Sequence, residues 1–231
     1  MSAKSMIRIM LLDDHPFMLR GLEDSLKNEH YIQVLGSFSS SLALSAALRE
    51  QPADLVLLDY SLGPDEVDGL NLVRWLKNHF PGVLLLVISA QHSPATVSMV
   101  LRCGADGFMG KDEPPAQLPI AIRSVVAGRG YLSSGMTDLL YSSTLSIDDN
   151  QTSLLVDEVS GDAKLAVNSS LTVREHEVLR CCLDGLSVTQ IAEKFSRSIK
   201  TISTQKQSAF KKLGVRSDNE LFKIRDQLNG L

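Results

Sequence analysis

At 231 residues, with 44% of side chains apolar and 22% charged, the chain has room for one large soluble domain or two small ones. Its three cysteines, two of them adjacent as Cys181-Cys182, offer no disulfide framework; this sets aside a cross-linked secreted scaffold and points to a reducing cytoplasm. The net charge of −4 divides into −8 for residues 1–167 and +4 for residues 168–231, so an acidic front precedes a basic tail whose partner is expected to be anionic.

The opening Met1-Ser2-Ala3-Lys4-Ser5 leads into a strand-length apolar stretch broken by Arg8. That stretch is too short for a signal-peptide core, and no later run approaches a membrane span. Strands are predicted near residues 7–12, 32–36, 54–59, 83–88 and 106–109, with helices between them and a last helix at about 116–128. This alternation calls for an α/β fold, a doubly wound five-stranded parallel sheet with helices on both faces. Pro16, just after Asp13-Asp14-His15, suits the first turn of a helix, where a missing N–H costs little. Gly128-Arg129-Gly130 is a stop signal for the last helix.

Residues 131–168 break the pattern. Ser133, Ser134, Ser142, Ser143, Thr144 and Ser146 cluster with Asp148, Asp149 and Asn150, which reads as a linker with one short helix near 135–143. The tail restarts at Leu171. Thr172 and Glu175 form a capping box that opens a helix over 173–183, closed by Gly185. Ser187 caps a second helix over 188–195, and Ser198 caps a third that runs to Leu213 and stops at Gly214. Ser217 or Asp218 starts a fourth, to about Leu228. The predicted organisation is an α/β domain over 1–130, a linker over 131–168 and a small all-α four-helix domain over 169–231.

The ends of the predicted strands carry the chemistry. The first stops at Asp13-Asp14, the third at Asp59, the fourth at Ser89, and the fifth leads into Lys111. In a parallel sheet the ligand crevice lies at the carboxyl ends of the strands, so these side chains are expected to converge there. Neighbouring carboxylates repel unless a cation lies between them, and hard oxygen donors favour Mg²⁺. Asp59 can serve as metal ligand and as the nucleophile that forms an aspartyl-phosphate. Mg²⁺ and Lys111 neutralise the transferred group, and the Ser89 hydroxyl reaches a phosphoryl oxygen.

In the tail, Ser187 to Phe195 followed by Ser198 to Ile202 reads as helix–turn–helix, with Val188, Ile191, Ala192, Phe195, Ile199 and Ile202 locking the two helices together. Lys200, Ser203, Thr204, Gln207 and Lys211 then share one helical face that is basic, hydrogen-bonding and free of acids. Such a face suits DNA, the lysines on phosphates and the shorter polar groups on base edges. Cys181 and Cys182 read as small buried apolar residues.

The words Leu12-Asp13-Asp14-His15-Pro16, Leu58-Asp59, Val87-Ile88-Ser89-Ala90 and Gly107-Phe108-Met109-Gly110-Lys111 resemble a response-regulator receiver domain over residues 6–128. With Leu171 to Leu179 and Ser198 to Ser203, the chain resembles the NarL/LuxR family, and its RcsB branch within it. The resemblance implies Asp59 as phosphoacceptor, Asp14 as a direct Mg²⁺ ligand, Asp13 as a ligand through water, and the Ser61 main-chain carbonyl as a further ligand. It also implies Phe108 as an aromatic switch coupled to Ser89, a dimerising fourth helix, and phosphorylation by a histidine kinase or phosphotransfer protein. His15 matches the family word but reads as a loop or helix-start residue. The segment after Asp59 departs from the family pattern, being longer and carrying Asp65, Glu66 and Asp68, which are expected to add negative charge near the pocket.

The expected function is a cytoplasmic, non-enzymatic transcription factor that binds promoter DNA as a homodimer or as a heterodimer with a related regulator, without membrane attachment. An aspartyl-nucleophile phosphatase is disfavoured because the position two after Asp59, where its general acid belongs, is Ser61. A regulator that dimerises independently of phosphorylation is the alternative.

Overall fold

The computed structural model describes residues 6–90, 93–133, 136–137 and 171–229. Apart from residues 131–133, 136 and 137, the predicted linker with its short helix near 135–143 lies outside them. The described residues divide into two compact units, one α/β and one helical.

The α/β unit runs β1 (Ile7–Leu12), α1 (Pro16–Leu26), β2 (Ile32–Phe38), α2 (Ser41–Glu50), β3 (Leu55–Asp59), α3 (Gly69–His79), β4 (Leu84–Ser89), α4 (Pro94–Arg102), β5 (Gly107–Gly110) and α5 (Gln117–Val126). All strand pairs are parallel, in the order β2-β1-β3-β4-β5, so the sheet is the predicted doubly wound one. Strand β3 is buried at every position, as an apolar run covered on both faces must be, while edge strand β2 is half-exposed. Ile9, Leu11, Leu55, Leu57, Leu86 and Ile88 form one core with Leu118, Ala121, Ile122 and Val125 of α5. Glycine is required at Gly107, because an added Cβ would come within 2.7 Å of Val125 Cγ2.

The chain order reverses at β1, which has β2 on one side and β3 on the other. This is the switch point where a crevice opens at the strand ends. Leu12 pairs with Leu58, so Asp13 follows β1 beside Asp59 at the end of β3. Ser89 pairs with Gly110, which delivers Lys111 one residue further along.

The helical unit contains α6 (Val173–Leu183), α7 (Val188–Lys194), α8 (Ile199–Leu213) and α9 (Asp218–Asn229). Thr172 and Glu175 form the predicted capping box on α6, and Ser187 with Gln190 forms a second on α7. The Ser198 side chain accepts the Thr201 N–H to start α8, and Gly214, with φ +70°, ends it in the left-handed conformation. Val178, Cys181, Cys182, Ile191, Ala192, Ile202, Ala209, Phe210 and Leu221 are buried. One core expectation fails: Ile199, predicted to lock α7 to α8, is 53% exposed. As the first residue of α8 it precedes the turn at which the helix packs, and Ile202 fills that role instead. Burial drives the Cys182 thiol up to about 11, which keeps it protonated.

Candidate functional site

The predicted carboxylates meet at the end of the sheet. Asp13, Asp14, His15 and Asp59 each offer one ligand atom, and these atoms all lie within 4.8 Å of one another. Asp13, Asp59 and Ser89 are almost fully buried. Lys111 Nζ lies 2.9 Å from Asp13 Oδ2 and 2.9 Å from Asp59 Oδ2. The first contact is a hydrogen bond; the second is a charge contact without hydrogen-bond alignment.

Burial raises the Asp59 carboxyl to about 6, with repulsion from Asp13 added and Lys111 partly offsetting both. For Lys111, burial favours the neutral amine, but Asp59 and Asp13 outweigh it and raise its pKa, so the ammonium persists. Two buried carboxylates thus share one lysine, with Asp14 close by. Asp14 Oδ1 and Asp59 Oδ2 are also buried, each with a polar contact, to His15 and Lys111 respectively, but no aligned hydrogen bond, a shortfall that a hard cation bound between them would remove. This donor set fits a divalent cation.

His15 takes the N-cap position of α1, as its helix-start reading expects, and its side chain also joins this group. Its main-chain N–H donates to Asp13 Oδ1 at 2.8 Å, and its Nδ1 lies 2.8 Å from Asp14 Oδ1. Its place in sequence beside two acids was the available signal. Ser61 donates its N–H to Asp59 Oδ1 at 3.4 Å, which places the loop after β3 against the pocket. Phe108 is buried on β5, three residues before Lys111.

The acidic loop is less of a charge reservoir than its composition implies. Glu66 Oε2 accepts both the N–H and the hydroxyl of Ser41, at 2.8 and 2.6 Å, at the start of α2. Asp68 is fully buried and accepts the Leu62 N–H at 3.0 Å. Asp65 is the acid of the three that remains exposed.

On α8, Lys200, Thr204, Gln207 and Lys211 are exposed and Ser203 is half-buried. The Thr204 hydroxyl donates to the Lys200 carbonyl at 2.9 Å, leaving its oxygen to accept. The remaining lysines of the helix are committed elsewhere. Lys206 pairs with Asp218 at 2.6 Å, and Lys212 pairs with Glu175 at 2.6 Å. Among the described residues Lys200 and Lys211 have no ion pair. Their charge is available to a partner.

A buried carboxylate pocket closed by one lysine, on a doubly wound sheet followed by helix–turn–helix, defines a signal-responsive DNA-binding regulator. Comparison with known proteins agrees: residues 9–123 match the response regulator receiver domain, and residues 169–224 match the bacterial regulatory proteins of the luxR family. The chain belongs to the LuxR-family response regulators. It is 34% identical to the transcriptional regulatory protein RcsB of Salmonella typhi, over 92% of this chain and 90% of that protein. It is 28% identical to the oxygen regulatory protein NreC of Staphylococcus aureus, over 93% of this chain and 94% of that one. A solved structure of Salmonella typhimurium RcsB superposes with a TM-score of 0.78 at 31% identity, over 97% of this chain and 99% of that one. RcsB of Salmonella enterica serovar Typhimurium, bound to promoter rprA in the presence of phosphomimetic BeF3−, gives 0.76 at 31% identity, over 97% and 99%.

Proposed function

We propose that Asp59 accepts a phosphoryl group and that this modification controls promoter binding by the α8 face. The observation that carries the proposal is Lys111, held 2.9 Å from both Asp13 and Asp59 at the strand ends. In the transfer step, an Asp59 carboxylate oxygen bonds to the donor phosphorus. The donor's P–N or P–O bond breaks, and the electron pair leaves with the imidazole or carboxylate. Lys111 then turns its ammonium from the carboxylates to a phosphoryl oxygen, and the Ser89 hydroxyl donates to another. Mg²⁺, held by Asp13, Asp14, Asp59 and the Ser61 carbonyl, supplies charge neutralisation for the phosphoryl group when bound. Buried Phe108 follows the Ser89 contact as the switch.

On this basis residues 1–130 serve as the receiver, 131–168 as a linker and 169–231 as the DNA-binding domain. Lys200 and Lys211 contact phosphates, while Ser203, Thr204 and Gln207 reach base edges. The phosphoryl donor is a histidine kinase or phosphotransfer protein, and the DNA-bound form is a homodimer or a heterodimer with a related regulator. The Salmonella relative, solved bound to promoter rprA in the presence of phosphomimetic BeF3−, supports this assignment. No small-molecule turnover is assigned beyond slow loss of the phosphoryl group. A cytoplasmic location goes with it, in keeping with three free cysteines.

The test is mass spectrometry after incubation with acetyl phosphate and Mg²⁺. One added phosphoryl group is expected on the wild type and none on Asp59→Ala. An unmodified wild type that still binds promoter DNA would instead favour phosphorylation-independent dimerisation.

A further inference from the structure

The chain that leaves the sheet is fastened to the loop that carries Lys111. Glu113 Oε1 accepts the Gly110 N–H at 2.9 Å, and Glu113 Oε2 accepts the Tyr131 hydroxyl at 2.7 Å. Tyr131 also lies along β5: it bridges Gly107 in parallel, and its carbonyl accepts the Phe108 N–H at 2.8 Å. Just before it, Gly130 takes φ +66°, and its carbonyl accepts the Ser124 hydroxyl of α5 at 2.5 Å. The approach is close, since a Cβ on Gly107 would stand 3.3 Å from the Tyr131 nitrogen. Burial, and then Glu113, hold the Tyr131 phenol above its ordinary pKa, so it stays a donor.

We propose that Glu113 is a positioning residue for Lys111 and also the point at which the phosphoryl pocket is coupled to the chain leading to the DNA-binding unit. One oxygen of the carboxylate holds Gly110, the neighbour of Lys111; the other holds Tyr131, the start of the exit. A movement of the Lys111 loop that follows phosphorylation therefore pulls on Glu113 and is passed to Tyr131. The Phe108 N–H bond to the Tyr131 carbonyl sets the exit beside β5 and leaves Glu113 as its link to the Lys111 loop. Coupling of this kind needs one element that both ends bias, and the Glu113 side chain is that element.

This inference rests on the phosphorylation reading above, and the experiment separates the two. Full-length wild type, Glu113→Ala, Glu113→Gln and Tyr131→Phe are compared for the rate of Asp59 phosphorylation by acetyl phosphate with Mg²⁺. Their promoter affinity is measured with and without that treatment. Glu113→Ala is expected to slow phosphorylation about ten-fold by loosening the lysine, with Glu113→Gln restoring most of the rate. Tyr131→Phe keeps the Gly110 bond, so it is expected to phosphorylate within about two-fold of wild type. It should nevertheless lose most of the gain in DNA affinity that phosphorylation confers. Glu113→Ala modified at the wild-type rate, or Tyr131→Phe with the full gain in affinity, overturns the proposal. A wild type that takes no phosphoryl group on Asp59 overturns the phosphorylation reading itself. Tyr131→Phe removes one hydroxyl only and keeps the test valid if Glu113→Ala fails to fold.

Discussion

Asp59 is buried beside two other carboxylates with one ammonium among them, an arrangement suited to capturing charge and poor for stability. An uncompensated buried carboxylate is costly, and the cost is absent for an amide of the same shape. Asp59→Asn is therefore expected to stabilise the metal-free protein by roughly 1–2 kcal/mol at neutral pH. Mg²⁺ should raise the melting temperature of the wild type more than that of the variant. Thermal unfolding in EDTA and in Mg²⁺ checks this; equal responses to the ion would remove Asp59 from the cation site. Glu175 has the opposite character. Burial works against its carboxylate, but Lys212, Ser208 and Thr172 outweigh that and lower it from 4.5 to about 2. The folded state then binds fewer protons than the unfolded one between these values. The stabilisation is complete above pH 4.5 and is lost as pH falls toward 2. Glu175→Gln is expected to cost about 1–3 kcal/mol at pH 7, with Lys212 half-exposed and its pairing partly screened. The gap to wild type should close in acid, as read by urea unfolding of the full chain followed by circular dichroism.

Helix α8 shows how far a face can be read before its neighbours are known. The spacing of Lys200, Ser203, Thr204, Gln207 and Lys211 was legible because a helix repeats every 3.6 residues. That Lys206 and Lys212 are tied to Asp218 and Glu175 was not, because those partners come from other helices. The same limit explains Ile199, apolar in sequence yet exposed where α8 begins. It explains the acidic loop as well, where Glu66 and Asp68 are held by Ser41 and Leu62. Strands and caps depend on local runs and were readable to within about two residues. The Glu113 to Tyr131 bond depends on a parallel bridge beside β5 and had no sequence signal. A prediction follows for the two uncommitted lysines. Each phosphate contact removed should lower the slope of log affinity against log salt by about 1. Lys200→Ala and Lys211→Ala should each do so, whereas Lys206→Ala should act mainly on stability. Promoter titrations at several salt concentrations decide this, and an unchanged slope in both variants would remove those lysines from the interface.

In the whole chain, an acidic receiver and a basic DNA-binding domain act as one switch only if occupation of one site changes the affinity of the other. Coupling of this kind is a free energy shared by two binding events, so it must be the same in both directions. Beryllofluoride is a suitable probe because it binds reversibly and leaves no covalent bond to hydrolyse. If it raises promoter affinity by some factor, promoter DNA must raise beryllofluoride affinity by that same factor, on the order of 5- to 150-fold for ordinary allosteric coupling. The proposed dimer would add to the effect, since two α8 faces on two half-sites would gain affinity through effective concentration without any new contact. The comparison must therefore be made at one protein concentration. Titrating Be²⁺ in fluoride against the full chain, with and without promoter DNA, gives one factor; titrating DNA with and without beryllofluoride gives the other. Equal factors above unity are expected for the wild type and a factor near one for Asp59→Ala. A wild type whose promoter affinity ignores beryllofluoride, while it still binds the probe at Asp59, would separate the two domains into independent binders.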